Sequence, residues 1–208
     1  MNKIPTQILG FDNPEIITRA VTTLDFNGLI VFPTDTLYGL AGRINEISIQ
    51  KIYAAKQRPA EKAIPVLIGD LDHLDLIVRD IQPQVLTLMR SFWPGALTLI
   101  LPKRSDLPVS LSPYEGLAVR MPKHPFALKL LQETGPLAVT SANISSFANP
   151  TTAQDVYAQL KDRASLIIDG GKLPQAQAST IVDCLSDQPK LIRKGPIAFE
   201  QILQQWNK

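Results

Sequence analysis

The sequence predicts an α/β fold, because segments patterned as strands and segments patterned as helices alternate along most of the chain. With 208 residues, of which 45% are hydrophobic and 19% charged, the chain can bury a core within one domain. Its 17 prolines stand mainly where predicted strands end and predicted helices begin, which indicates short, well-defined turns. We therefore expect a single domain over residues 1–208, with its core at about 14–200.

The apolar run 29–32 is the clearest predicted strand, and Pro33 ends it because proline has no N–H to donate. Thr34, Asp35 and Thr36 follow directly, and ligands bind beyond the carboxyl ends of strands in open α/β sheets. A polar turn after a core strand is the plainer alternative. The other predicted strands are 65–68, 96–101, 117–121, 137–139, 166–169, 180–184 and 190–193.

Helices are predicted where apolar residues recur at helical spacing behind a start signal. The first begins with Asp12-Asn13-Pro14-Glu15 and ends at Gly28. The others are predicted at 46–57, 83–92, 125–133, 152–160 and 197–206, with a short polar helix after 69–72. The polar segment 103–116 is expected to be a mobile connection, and 176–179 to be a loop.

Composition excludes several classes of protein and site. The net charge of +2 and the pI of about 8.7 do not indicate a dedicated polyanion-binding protein. A single cysteine, Cys184, excludes an internal disulfide and is expected to be an inert core thiol. We expect a cytoplasmic protein, because no apolar run of about 18 residues and no signal peptide are found.

The chemistry-bearing side chains are cations and hydroxyls at the ends of predicted elements. The two histidines have no zinc-ligand spacing, and Walker A, Gly-x-Gly-x-x-Gly and Gly-x-Ser-x-Gly motifs are missing from the sequence. Arginine and lysine bind phosphate or carboxylate, and hydroxyls orient such ligands, so this set predicts a site for a polyphosphate-like anion. Its members are Lys56, Arg58, Lys62, Arg120 and Arg193, with Thr34, Ser141, Asn143, Ser179 and Thr180.

Six segments in series resemble the YrdC-domain family, the threonylcarbamoyl-AMP synthases, in its short single-domain form. They are 33–40 (PTDTLYGL), 56–59 (KQRP), 93–98 (WPGALT), 118–122 (AVRMP), 140–143 (TSAN) with 149–151 (NPT), and 179–183 (STIVD). The resemblance implies a twisted, open, mixed β-sheet with flanking helices, of the YrdC/RibB-like kind. One departure is Asn149, which stands where many relatives have serine and can still form a hydrogen bond.

The resemblance also implies a nucleotidyltransferase that uses L-threonine, bicarbonate or CO2, and ATP. The products are threonylcarbamoyl-AMP and pyrophosphate, and downstream proteins use the first to form threonylcarbamoyl-adenosine in tRNA. Magnesium is expected on the ATP phosphates, with Asp35 as the candidate for an indirect ligand and with no direct protein ligand. Lys56 and Arg58 are the implied catalytic residues. ATP is assigned to Lys56, Arg58, Lys62, Ser141, Asn143, Asn149 and Arg193, and threonine to Thr34, Arg120, Val139 and Ser179.

Two alternatives stay open at this point. The basic residues could contact RNA phosphates in a binding module without enzymatic activity, although an aromatic content of 6% leaves few side chains for base stacking. A paralogue could keep the same pocket and use a different substrate. The intact Lys56-x-Arg58 and Ser141-x-Asn143 pairs argue against a degenerate pocket but do not fix its specificity.

Overall fold

One mixed β-sheet of ten strands runs through the described residues, 5–173 and 177–208, of this computed structural model. In chain order the strands are β1 Gln7–Gly10, β2 Ile30–Pro33, β3 Tyr38–Gly42, β4 Val66–Leu67, β5 Leu97–Pro102, β6 Gly116–Arg120, β7 Leu137–Ser141, β8 Leu166–Asp169, β9 Thr180–Asp183 and β10 Lys190–Arg193. The helices are α1 Ile16–Asp25, α2 Glu46–Lys56, α3 Pro83–Phe92, α4 Pro125–Thr134, α5 Ala153–Leu160 and α6 Phe199–Trp206, with 3-10 turns at Leu71–Leu76 and Val109–Leu111.

Strand order and direction confirm the predicted α/β class with a mixed sheet and flanking helices. Across the sheet the order is β1, β8, β2, β3, β7, β4, β6, β5, β9 and β10. Strand β8 is parallel to both of its neighbours, and parallel pairs also join β4 to β6 and β5 to β9. The remaining neighbours are antiparallel.

The two faces of the sheet carry separate apolar layers, because successive strand residues point to opposite sides. In β2, Ile30 and Phe32 belong to the layer that contains Ala20 and Leu24 of α1, together with residues of α4. Val31 belongs to the layer on the other face, to which α2, α3, α5 and α6 contribute. Burying each large aliphatic side chain in these layers stabilises the fold by about 1.5–3 kcal/mol.

Helices α1 and α4 leave part of their face of the sheet uncovered. Their apolar layer extends from β8 across β2, β3 and β7 to Leu67 of β4. Toward the β10 end of the strand order, Leu99, Val119 and Val182 face the layer of α2, α3, α5 and α6. The alternate residues of the same strands, including Thr98 and Ala118, line a cavity instead. The cavity therefore lies on the part of this face that no helix of the described residues covers.

Strand β3 is the main element that the sequence analysis did not predict, together with β1. Tyr38–Gly42 contains two glycines, which weaken the strand pattern. The segment is nevertheless a fully buried strand between β2 and β7, so the polar residues after Pro33 form a hairpin loop. At Gly39 a Cβ atom would lie 2.7 Å from Cγ1 of Val139. Close packing of β3 on β7 thus explains a glycine here.

Most predicted elements are found within a few residues of their expected bounds, and two segments differ. Helix α1 begins at Ile16, four residues after Asp12, and ends at Asp25, three residues before Gly28, so both predicted ends were wrong. The segment 103–116 is anchored, because Leu111 and Ser112 are fully buried and Leu111 O accepts a hydrogen bond from Ile64 N. In the predicted loop 176–179, Ala176 lies outside the described residues and the rest has no regular structure.

Cys184 confirms the expectation of an inert core thiol. Its side chain is buried, and burial raises the pKa of the thiol to about 12, so the thiol stays protonated at neutral pH. Among the helices of the described residues, none has the length and apolar character needed to cross a bilayer.

Candidate active site

A cavity of about 350 Å³ lies on the uncovered face of the sheet. Its size falls within the range of pockets that bind small molecules and cofactors. Eight of the predicted site residues contribute to its wall: Thr34, Arg58, Arg120, Val139, Ser141, Asn149, Ser179 and Arg193. Thr98 of the 93–98 segment also lines the cavity, so all six segments that carry the resemblance contribute to its wall. Lys56 of the 56–59 segment lies just beneath.

Arg120 joins the hairpin loop after β2 to the rest of the site. Its Nη2 donates to Oδ1 of Asp35 in an ion pair, and its Nη1 donates to Oγ1 of Thr36 at 2.6 Å. Its Nε donates to the carbonyl of Gly95 at 2.8 Å. The sequence left open whether this strand arginine faces solvent or has a partner, and the structure shows that it is buried and paired.

Two opposing effects act on the Arg120 guanidinium. Burial lowers its pKa, and the neighbouring Asp35 carboxylate raises it. Asp35 itself is not part of the cavity wall, and its Oδ1 also accepts a hydrogen bond from Lys123 N at 3.0 Å. The structure thus places Asp35 beside Arg120 rather than in the space that a ligand would fill.

Thr34 organises the hairpin loop around its hydroxyl. Its Oγ1 donates to the carbonyl of Leu37 at 2.7 Å and accepts hydrogen bonds from the N–H groups of Thr36 and Leu37. The Oγ1 atoms of Thr34 and Thr36 lie 3.1 Å apart. A continuous set of hydrogen bonds therefore runs from Leu37 through the two threonines to Arg120.

Lys56 lies beneath the cavity rather than in its wall. The resemblance had implied a direct contact between Lys56 and ATP. It ends helix α2 and is 1% exposed. Its Nζ donates to the carbonyls of Ser141 and Asn143 and to Oδ1 of Asn143, the last at 3.1 Å. These oxygens mark the end of β7, so Lys56 holds the backbone that carries the Ser141-x-Asn143 pair. Its assignment to ATP stays a prediction.

The environment of Lys56 makes its charge sensitive to pH. Burial, and secondarily the positive charge of Arg58, lower the pKa of the amino group to about 7. Hydrogen bonds to several oxygens favour the ammonium form and oppose this shift. Lys56 is therefore a buried cation with a finely balanced protonation state.

Arg58 and Lys62 end up in different positions. The Arg58 guanidinium lines the cavity while its Nε and Nη2 donate to the carbonyls of Lys62 and Ala63 at 3.1 and 2.8 Å. Burial lowers the pKa of Arg58. The side chain of Lys62 is exposed and does not line the cavity. Lys62 contacts Arg58 through its backbone carbonyl. Its assignment to ATP also stays a prediction.

Arg193 and Ser179 close another part of the wall. Nε and Nη2 of Arg193 both donate to the carbonyl of Ser179, at 3.0 and 2.9 Å, and burial lowers the arginine's pKa. The hydroxyl of Ser179 lies 2.7 Å from that of Thr98. Thr180, which the sequence also suggested, instead donates its hydroxyl to the carbonyl of Ile197. It therefore attaches the segment after β10 to β9.

Asn143 is likewise turned away from the cavity and supports the loop after β7. Its Nδ2 donates to the carbonyls of Ile144 and Phe147, and its Oδ1 accepts a hydrogen bond from Oγ of Ser141 at 2.5 Å. Of the Ser141-x-Asn143 pair, only Ser141 lines the cavity. The loop leads on to Asn149, which does line it.

Thr36 lines the cavity, as its place in the candidate segment after Pro33 suggested, although no ligand was assigned to it. The sequence-based assignments missed other residues of the wall: Thr98 and Thr140 supply further hydroxyls, and Ile100, Ala118 and Ile181 supply apolar surface. The positions of Thr98 and Ile100 could have been inferred from strand alternation. Leu97, Leu99 and Leu101 point to one face of β5, so Thr98 and Ile100 point to the other. The sequence does not show that this second face is left uncovered.

The described residues offer no cluster of side chains that would bind a metal ion. Within 5–173 and 177–208, no group of three or more histidine, cysteine, aspartate or glutamate side chains is arranged to hold one. The cavity wall contributes hydroxyl, amide and guanidinium groups, which suit an anion and not a divalent cation.

Comparison with known proteins identifies the family. Residues 22–195 match the sequence profile of the Sua5–YciO–YrdC family, whose description reads "Telomere recombination". The chain is 42% identical over 204 residues to a Bacillus subtilis protein named threonylcarbamoyl-AMP synthase. That match covers 95% of this chain and 58% of the relative, so the chain spans less than two thirds of that protein.

Solved structures agree with this relationship. Pyrococcus abyssi Sua5, crystallised in complex with L-threonine, superposes with a TM-score of 0.90 at 33% identity, covering 96% of this chain and 60% of that one. Escherichia coli YciO superposes with a TM-score of 0.83 at 26% identity, covering 95% of this chain and 98% of that one. The matched profile, the identity and the shared fold together place this chain in the Sua5–YciO–YrdC family.

Proposed function

We propose that the protein is an L-threonylcarbamoyladenylate synthase, a nucleotidyltransferase that joins L-threonine, bicarbonate or CO2, and the AMP part of ATP. The observation that carries this proposal is the composition of the cavity wall. Three arginines and several hydroxyls line it, and no carboxylate, histidine or cysteine of the described residues does. Such a wall binds anions, and among the described residues it contains no histidine or carboxylate that could activate its hydroxyls as nucleophiles.

Two sets of residues in and beneath the cavity are assigned to the two substrates. Arg58, Ser141, Asn149 and Arg193 would bind the phosphates and the nucleotide, with Lys56, Lys62 and Asn143 in support. Arg120, Thr34, Val139 and Ser179 would hold threonine, whose carboxylate would take guanidinium N–H groups that Asp35, Thr36 and Gly95 leave free. The Pyrococcus abyssi relative, which was crystallised with L-threonine, supports the threonine half of this assignment.

The reaction follows from binding and orientation. The threonine amine adds to CO2 and loses a proton, which gives a carbamate. With bicarbonate, the amine proton instead leaves together with the displaced hydroxide as one molecule of water. A carbamate oxygen then attacks the α-phosphorus of ATP, and the bond to pyrophosphate breaks. The guanidinium groups of Arg58 and Arg193 stabilise the negative charge that shifts toward the leaving pyrophosphate. No step requires a covalent intermediate on the protein.

Magnesium would enter with ATP, as part of the substrate. The wall offers it no carboxylate, so phosphate oxygens and water would be its ligands. The product would pass to the proteins that modify tRNA, which would place the enzyme with its tRNA in the cytoplasm.

Thermal unfolding tests the proposal without relying on turnover. We expect α,β-methylene ATP with magnesium and L-threonine, added together, to raise the unfolding temperature by more than the sum of their separate shifts. A ligand that binds only the native state at about 100 times its Kd adds about 2.7 kcal/mol of stability. Stabilisation by the nucleotide alone would indicate a paralogue with another substrate. Stabilisation only by RNA, with steep salt dependence, would indicate a binding module.

A further inference from the structure

The hairpin loop 34–37 contains a carboxylate that the proposed reaction does not use. Asp35 follows Thr34 directly and sits 17% exposed beside a 7% exposed arginine, Arg120. It does not enter the cavity wall, where a ligand or a metal ion would meet it. Any effect of Asp35 on a bound ligand must therefore be exerted through another residue.

The hydrogen bonds of Asp35 converge on one oxygen atom. Oδ1 accepts from Nη2 of Arg120 and, at 3.0 Å, from the backbone N–H of Lys123. Lys123 comes three residues after Arg120, so the two donors are tied together by the chain. An oxygen held by two donors is fixed in position, and it fixes the plane of the guanidinium in turn.

Two further acceptors complete this arrangement. Thr36 Oγ1 accepts from Nη1 of Arg120 at 2.6 Å, and the carbonyl of Gly95 accepts from Nε at 2.8 Å. Three of the five guanidinium N–H groups are thereby used, and one remains on each of Nη1 and Nη2. These are the groups that can reach a carboxylate in the cavity, and their direction depends on the three acceptors.

We propose that Asp35 is a positioning residue, which orients Arg120 for a substrate carboxylate through its role as a hydrogen-bond acceptor and not as a metal ligand. The carboxylate of threonine is the substrate group under the proposed function, so that part of the inference rests on it. The orientation of Arg120 by Asp35 does not depend on which carboxylate binds.

Two substitutions separate the acceptor from its charge. Asp35→Asn keeps Oδ1 for both donors and removes the negative charge, whereas Asp35→Ala removes the acceptor. We expect Asp35→Ala to raise the KM for threonine by at least about tenfold with little change in the KM for ATP, since a misplaced binding group weakens only its own substrate. Asp35→Asn should keep the threonine KM within about threefold of the wild type, and the magnesium concentration for half-maximal rate should not change.

Asp80→Asn is the matched control, because Asp80 forms an exposed pair with Arg79 and lies outside the cavity wall. Its kinetics should equal those of the wild type. If Asp35→Asn raises the threonine KM as much as Asp35→Ala, the charge is required and the inference is wrong. A changed magnesium requirement in Asp35→Asn would also contradict it.

A second readout tests the orientation in the absence of any substrate. The Nη–H protons of Arg120, assigned by comparison with Arg120→Lys, should give separate NMR signals when rotation of the guanidinium is hindered. We expect separate signals in the wild type and in Asp35→Asn, and averaged signals in Asp35→Ala. Unchanged signals in Asp35→Ala would overturn the inference. A wild type that shows separate signals but no threonine-dependent turnover would instead refute the proposed function alone.

Discussion

Replacing Arg58 with alanine is expected to lower ATP-dependent turnover by about 10³-fold, because an arginine on a transferring phosphoryl group contributes that much to the rate. Its guanidinium lines the cavity and is held there by the carbonyls of Lys62 and Ala63. The fold should persist, since the substitution removes two hydrogen bonds worth about 1 kcal/mol each at a partly exposed position. Steady-state pyrophosphate release and a thermal melt measure the two effects separately.

Arg79→Ala provides the matched control for this experiment. Arg79 is also an arginine with carboxylate and carbonyl partners, but it is half exposed and does not line the cavity. Its loss should leave the rate unchanged. Arg58→Lys should recover only part of the activity, because an ammonium group cannot reproduce the planar fork of donors. Full activity in Arg58→Ala would refute the assignment of this residue to ATP.

Lys56→Met is expected to lower the rate by about 10²-fold, because a shift of about 1 Å in a positioned group costs that much. Methionine is an unbranched apolar side chain, so it can replace the buried stem of Lys56 but leaves the carbonyls of Ser141 and Asn143 without the donor that holds them. Leaving buried acceptors unsatisfied should also reduce the free energy of unfolding by about 1–3 kcal/mol. Denaturant unfolding and single-turnover kinetics report the two losses, and a fully active, equally stable variant would contradict the role assigned to Lys56.

The difference in stability between the wild type and Lys56→Met should depend on pH. Burial lowers the pKa of Lys56 to about 7 in the folded protein, from the ordinary value of 10.5 that an exposed lysine has in the unfolded chain. Between these values the unfolded chain binds a proton that the folded protein does not, so the wild type gains stability as the pH rises. The variant lacks this gain, and the difference should therefore grow from pH 7 toward pH 10. If the free energies of unfolding of the wild type and the variant change in parallel with pH, the oxygens around Nζ keep Lys56 protonated.

Much of the fold could be predicted because strand and helix patterns in this chain are local. The helix over 83–92 and the strand over 190–193 match their predicted bounds, since Pro83 marks one start and apolar spacing marks the rest. Strand β3 could not be predicted in this way. Its glycines weaken the local pattern, and only pairing with β2 and β7 on both sides makes it a strand.

The candidate site also has parts that the sequence predicts and parts that depend on tertiary contacts. Motif residues such as Thr34, Arg58, Arg120 and Ser141 meet in one cavity as expected. The sequence does not reveal which side chains support the site from outside its wall. Lys56 and Asn143 turn toward the end of β7, and Asp35 pairs with Arg120, because burial of each polar group requires a partner that the fold alone supplies.

Pyrophosphate release from ATP, measured with and without L-threonine and bicarbonate, is the most direct test of the proposed synthase. We expect release that requires both co-substrates, since the carbamate that attacks ATP is made from them. Release that is independent of threonine, or no release from a protein that ATP nevertheless stabilises, would contradict the proposal and favour a different substrate for this cavity.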